Sequence, residues 1–215
     1  SVNVERARLR VLRIGERSLV QQLADGLLGT QLDAWARNRI DDQSGTQLFA
    51  GSVELVVEPN REIVTALPVA ELVGPLQPGL YIATAEPVGS APEDWDARAT
   101  QWFTVSDLGV TVFSGENGLD VVVRSLAGAQ PVAGAGLTLL ARNNEVLGRL
   151  DTDAAGRAVF AAGLVRGRGG AAPRALVAQS DQGGFTFVDL DGPQLDLADR
   201  GLDGRTPPGA LDAFV

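Results

Sequence analysis

The stretch Asp151-Thr152-Asp153-Ala154-Ala155-Gly156 is where this sequence comes nearest to a chemical motif. An Asp-x-Asp pair followed by glycine opens one type of calcium loop. That loop needs oxygen ligands at its first, third, fifth, seventh, ninth and twelfth places, the last a bidentate Glu. Asp151, Asp153 and Gly156 fit the first, third and sixth places, but Ala155 stands at the fifth and Ala162 at the twelfth, and neither has a side-chain oxygen. A turn explains more of the stretch. Asp153 can bond its own backbone, Gly156 can supply a positive φ, and the flanking "GRLD" and "RAVF" read as strands.

Three other groups have the residue types for chemistry. Glu93, Asp94 and Asp96 surround Trp95, and a glycosidase would need such a carboxylate pair facing one cleft. Aromatic residues make up only 5% of the chain, too few for a sugar-stacking cleft, so a solvated loop is the expected state. The "RGRGG" segment at 166–170 lacks the Lys, the Ser/Thr and the following helix of a phosphate loop. It reads as an inter-strand loop, with Arg166 and Arg168 available for contact to a neighbouring domain. Arg6, Arg8 and Arg10 alternate along one segment, with Arg13 and Arg17 close behind. They suit a basic edge for an anionic partner, a solvated strand face balanced by carboxylates opposite, or a sheet edge guarded by charge.

What the sequence lacks narrows the chemistry further. There is no Cys, Met, His or Lys, and every basic residue is arginine. Disulfides, thiolate nucleophiles, Ser-His and Ser-Lys dyads, Schiff bases and His-ligated zinc all fall together. Carboxylates, hydroxyls, arginine and the single Tyr81 remain, so the expectation is no enzyme, no cofactor and no metal. The formal charge of −9 argues against nucleic acid as a main partner. No run approaches the roughly 20 apolar residues of a membrane helix, so no membrane contact by this segment is expected. The chain begins at Ser1 without a signal-like start, which reads as an excised or processed piece.

The elements that must position these residues are mostly strands. Residues 4–14 alternate apolar and arginine, the rhythm of a half-buried strand. Residues 18–42 change to helical spacing, with Leu19, Leu23 and Leu27 and then Leu32, Trp35, Ala36 and Ile40. Ser18 with Gln21 and Thr30 with Asp33 look like helix starts. From residue 46 onward, short runs bounded by Gly, Asn, Asp and Pro recur. "IVTALPVAEL" reads as an extended edge run, Asn143-Asn144 as a hairpin tip, and Trp35 and Trp102 as core. This cadence predicts an all-β chain of two tandem antiparallel β-sandwiches, the first carrying one or two short helices. The expected halves are 1–106, with the helical insert near 18–42, and 107–215, with an irregular exit segment from about 192.

The ordered set "LQPGLYIATAEP", "QWFTVSDLGVTV", "AQPVAGAGLTLLARNNEVLGRLDTDAAGRAVF" and "FVDLDGPQLDLADRGLDGR" resembles consecutive macroglobulin-like domains of the bacterial alpha-2-macroglobulins. The likeness is strongest over 75–215 and weakest over 1–50. It implies two seven-stranded sandwiches that form a non-catalytic pair within a broad-spectrum protease trap of the cell envelope. Members of that family are cut by proteases in a bait region, and many then hold the protease through a Cys-Gln thioester. This segment has no Cys and no recognisable bait. The resemblance implies as partners the neighbouring macroglobulin domains, target proteases through the intact parent, and peptidoglycan synthesis enzymes. It also implies a periplasmic setting with the parent anchored to the membrane. The candidate contacts are Arg6, Arg8, Arg10, Arg166, Arg168 and Trp95. The rival readings are an adhesin-like or carbohydrate-binding sandwich acting through its loops, and a carboxylate-dependent hydrolase.

Overall fold

The computed structural model describes residues 4–15, 18–58, 61, 65–67, 69–89 and 98–192. Trp95, Glu93, Asp94, Asp96, Arg17 and the exit segment beyond Gly192 lie outside them. The chain divides into two compact units, Ser1–Val105 and Ser106–Val215.

In the first unit, strands β1 (Arg6–Ile14), β2 (Gly45–Glu54), β3 (Gly79–Pro87) and β4 (Ala99–Val105) form one antiparallel sheet in the order β2-β1-β3-β4. Alternation along β1 sends Leu9 and Val11 into a cluster with the buried Tyr81, lined by Phe49, Phe103 and Val105. Leu12 and Ile14, of opposite parity to Leu9, are buried as well. β1 is therefore apolar on both sides over its second half, and both sides need cover. Helices α1 (Leu19–Ala24) and α2 (Ala34–Gln43) bury Leu19, Val20, Leu23, Ala36 and Ile40. Asp41 and Arg37 of α2 pair with Arg10 of β1 and Glu86 of β3, which puts that helix over the face that the arginines share. Among the described residues this unit has four strands in one sheet rather than the seven expected of each half, the stretch between β1 and β2 being taken up by α1, α2 and the turn that joins them.

Two local expectations change here. Ser18 caps α1 by position but makes no side-chain cap bond, whereas Asp33 caps α2 by accepting the Ala36 N–H at 2.6 Å. The run predicted as an extended edge contains a third helix, α3 (Val69–Val73). Val69, Leu72 and Val73 follow helical spacing and pack together on the Leu9–Tyr81 cluster, so burial at a period of 3.6 outweighs the β-propensity of valine.

Among its described residues the second unit has the seven strands expected. β5 (Leu108–Gly115), β6 (Gly118–Ser125) and β9 (Arg157–Ala161) form one sheet in the order β5-β6-β9. β7 (Gly136–Ala141), β8 (Val146–Asp151), β10 (Pro173–Gln179) and β11 (Phe185–Asp189) form the other in the order β11-β10-β7-β8. The sheets share a core of Leu119, Val121, Val123 and Phe160 from one and Leu137, Leu139, Leu176 and Ala178 from the other. Each fully buried Val, Leu or Phe contributes about 1.5–3 kcal/mol, so this packing holds the unit without a disulfide. The β7–β8 hairpin turns at Asn143-Asn144 as predicted. Asn144 has φ 68° and the Asn143 Oδ1 accepts the Glu145 N–H.

Gly118 opens β6 with φ +122°, and a Cβ there would stand 1.9 Å from the Phe160 carbonyl oxygen of β9. Gly118→Ala should therefore destabilise the chain by at least about 2 kcal/mol in urea unfolding. Gly163→Ala, where a Cβ meets nothing within 4 Å, should change it by less than about 0.5 kcal/mol. Equal midpoints for the two variants would refute the close approach.

Candidate functional site

The Asp-x-Asp stretch runs from the end of β8 into the turn before β9, and Thr152 and Asp153 build that turn. The Asp153 Oδ1 accepts the N–H groups of Ala155 and Arg157, both at 2.8 Å. The Gly156 N–H donates to the Asp153 carbonyl, and Gly156 takes φ +72°. Thr152, between the two aspartates, is the residue that residue-by-residue reasoning missed. It is buried, donates its hydroxyl to the Val132 carbonyl at 2.6 Å, and accepts the Ala135 N–H at 2.9 Å. Its signal in the sequence was a hydroxyl at the strand end, facing the glycine-rich loop 133–136. Two N–H donors hold Asp153 Oδ1 in an Asx-type turn, and among the described residues no group of three or more acidic side chains is gathered as a metal site would need.

The arginines of β1 lie on an interior strand, which removes the sheet-edge reading. Arg8 stands opposite Glu86 in register and bonds it at 3.0 Å. Arg10 bonds Asp41 at 2.9 Å. Arg6 is exposed. Glu86 also accepts from Arg37 at 2.7 Å and lies 3.4 Å from Arg98, so guanidinium groups from β1, α2 and the approach to β4 converge on one carboxylate. Burial pushes the Glu86 carboxyl up, but the hydrogen bonds and charges of Arg37 and Arg8 outweigh it and hold the group below its ordinary value. Two of the three predicted arginine contacts in this unit are thus engaged within it. Glu86 and Asp41 were legible only as the carboxylates that a row of arginines requires opposite it.

Arg166 and Arg168 are exposed in the loop between β9 and β10, which forms two short 3₁₀ turns. That loop is anchored to the β7–β8 turn, where the Arg142 and Asn143 N–H groups bond the Ala172 and Gly170 carbonyls. Arg174 bonds Asp189 at 2.8 Å and Asp191 at 2.7 Å, and Arg142 also bonds Asp191.

The aromatic residues divide. Tyr81 is buried, stacks on Phe103 with ring centroids 5.3 Å apart, and donates its hydroxyl to the Gln77 carbonyl. Burial raises its pKa, with Arg13 opposing. Trp102 is half-buried and donates its indole N–H to the Thr30 carbonyl at 3.1 Å. Trp35, expected in the core, is 66% exposed. Its place on α2 falls between the buried Ala36 and Ile40 and the solvent side, where Arg39 lies over its ring at 4.8 Å.

A seven-stranded sandwich with its Asp-x-Asp turn bonded internally defines a macroglobulin-like domain. Residues 105–207 match the family described as the bacterial alpha-2-macroglobulin MG3 domain. Over the whole chain, alpha-2-macroglobulin of Xylella fastidiosa is 26% identical and that of Escherichia coli K12 is 27% identical. The chain spans 13% and 12% of their lengths. Trypsin-activated alpha-2-macroglobulin from Escherichia coli superposes with a TM-score of 0.71 at 26% identity, covering 93% of this chain and 13% of that one. A native Escherichia coli structure spanning domains NIE-MG1 gives 0.70 at 23% identity, covering 88% and 85%. Residues 105–207 are thus similar to one domain of the bacterial alpha-2-macroglobulins, and the whole chain is similar to a part of those longer proteins.

The Glu86 cluster sets a pH dependence. A carboxyl held below its unfolded value contributes stability that is present above that value and is lost as pH falls through the folded one. Urea midpoints should therefore decline as pH drops below the ordinary glutamate value of 4.5. Glu86→Gln should cost about 1.5–3 kcal/mol at neutral pH and flatten the acid limb. An unchanged acid limb in that variant would place the titrating group elsewhere.

Proposed function

We propose that this chain is a non-catalytic supporting part of a bacterial alpha-2-macroglobulin, a broad-spectrum protease inhibitor of the cell envelope. The observation that carries this reading is the internal engagement of the Asp151–Gly156 turn, the best chemical motif in the sequence. The family match and the long relatives supply its context. The chain's role is to space and orient neighbouring domains, and protease capture belongs to the parent. Arg6, Arg166 and Arg168, exposed in the structure, are the charged contacts it offers, and a periplasmic location follows from the same reading.

The test is inhibition of trypsin acting on a large protein substrate. The parent should suppress that activity, and the isolated chain should neither suppress it nor hydrolyse peptides or glycosides. Arg166→Ala with Arg168→Ala in the parent should weaken inhibition severalfold if the loop contacts a neighbour, and unchanged inhibition removes the loop from the contact set. Turnover by the isolated chain, lost on replacing one carboxylate, would overturn the supporting role. Binding of the isolated chain to a glycan would instead favour a loop-acting adhesin.

A further inference from the structure

The β5-β6-β9 sheet uses one face for the core, yet its other face carries large apolar side chains among its charged ones. Register places Phe113, Asp120 and Val159 in one row across the three strands and Thr111, Val122 and Arg157 in the next. Leu126 lies over Gly109 at the end of the same face, where a glycine Cβ would come within 2.7 Å of the leucine Cδ2. Leu126 is 67% exposed, Val159 53% and Phe113 47%, so three of the large exposed apolar side chains share a single sheet face. Large apolar side chains gathered on one exposed sheet face are a candidate interaction surface.

Its charge and size indicate what covers it. Asp120 and Arg157 neutralise one another at 2.7 Å, and Arg124, bonded to the Ala129 carbonyl, leaves the face with a positive surplus on a chain of net charge −9. With strands about 4.8 Å apart and about 3.4 Å per residue, the face covers on the order of 300 Å². That is well short of the roughly 800 Å² per partner of a stable complex between free molecules, and it matches one side of a small inter-domain contact. A contact this small persists when a tether holds the partner at millimolar effective concentration.

We propose that this face docks a further domain of the same polypeptide, one presenting an apolar centre with an acidic rim. The proposal rests on the chain being part of a multi-domain parent.

Hydroxyl-radical footprinting of the isolated chain and of the parent tests it. Oxidation of Phe113 and Leu126 should fall about fivefold or more in the parent. Val159→Glu should restore it there while leaving the isolated chain folded, its urea midpoint lowered only slightly by the like charge of Asp120 opposite. If Phe113 and Leu126 stay equally reactive in both while the 162–172 loop is protected, this docking face is wrong and the supporting role stands. If no part of the chain is protected in the parent, both fail. Sedimentation of the isolated chain should show a monomer, and a dimer dispersed by Val159→Glu would reassign the face to a second copy.

Discussion

The second unit depends on the turn at 152–156, where the chain leaves one sheet and enters the other. β8 ends in the β11-β10-β7-β8 sheet and β9 begins in the β5-β6-β9 sheet, so this turn must span the sandwich at one edge. Thr152 fastens it to the 132–135 segment through the Val132 carbonyl and the Ala135 N–H. Gly156 fastens it to β6 through its carbonyl, which accepts the Val123 N–H at 2.8 Å. A Cβ at 156 would stand 2.4 Å from the Val123 carbonyl, so only glycine lets the strands close this tightly. Phe160, four residues on, then drops into the shared core.

The first unit answers the same need by different means. Its central strand carries arginines on the face that a helix covers, and arginine cannot be buried there without partners. Glu86 and Asp41 supply them, and the multiple guanidinium contacts on Glu86 bind three separate elements at one point. Guanidinium suits this use because it stays charged and offers several donors in a fixed plane. The lysine-free composition thus has a structural expression, since each described ion pair in both units is made by arginine.

Much of the second unit was legible in the sequence because its strands alternate cleanly and its positive-φ turn positions, Ala129 apart, are held by Gly or Asn. The first unit was less so. Valine-rich "VAELV" reads as strand by propensity and becomes helix because Val69, Leu72 and Val73 meet one apolar cluster. Trp35 reads as core by spacing, yet one residue's rotation around α2 carries it to the surface. The candidate contacts divided for a similar reason. Alternation predicts which side a residue faces, but Arg8 and Arg10 find Glu86 and Asp41 through pairings distant in sequence. The exposed row of Phe113, Val159 and Leu126 comes from three separate strands and loops, so no local window contains it.

The central claim is that the Asp-x-Asp turn closes the fold through its own hydrogen bonds, without help from a cation. Amide hydrogen exchange at Val123 and Ala135, measured with and without calcium, tests it most directly, because both N–H groups bond to the turn. The account predicts exchange at both only through global unfolding, at the same rate in calcium as without it. Fast exchange in the absence of calcium that slows on its addition would contradict the account and return Asp151 and Asp153 to the status of a cation site.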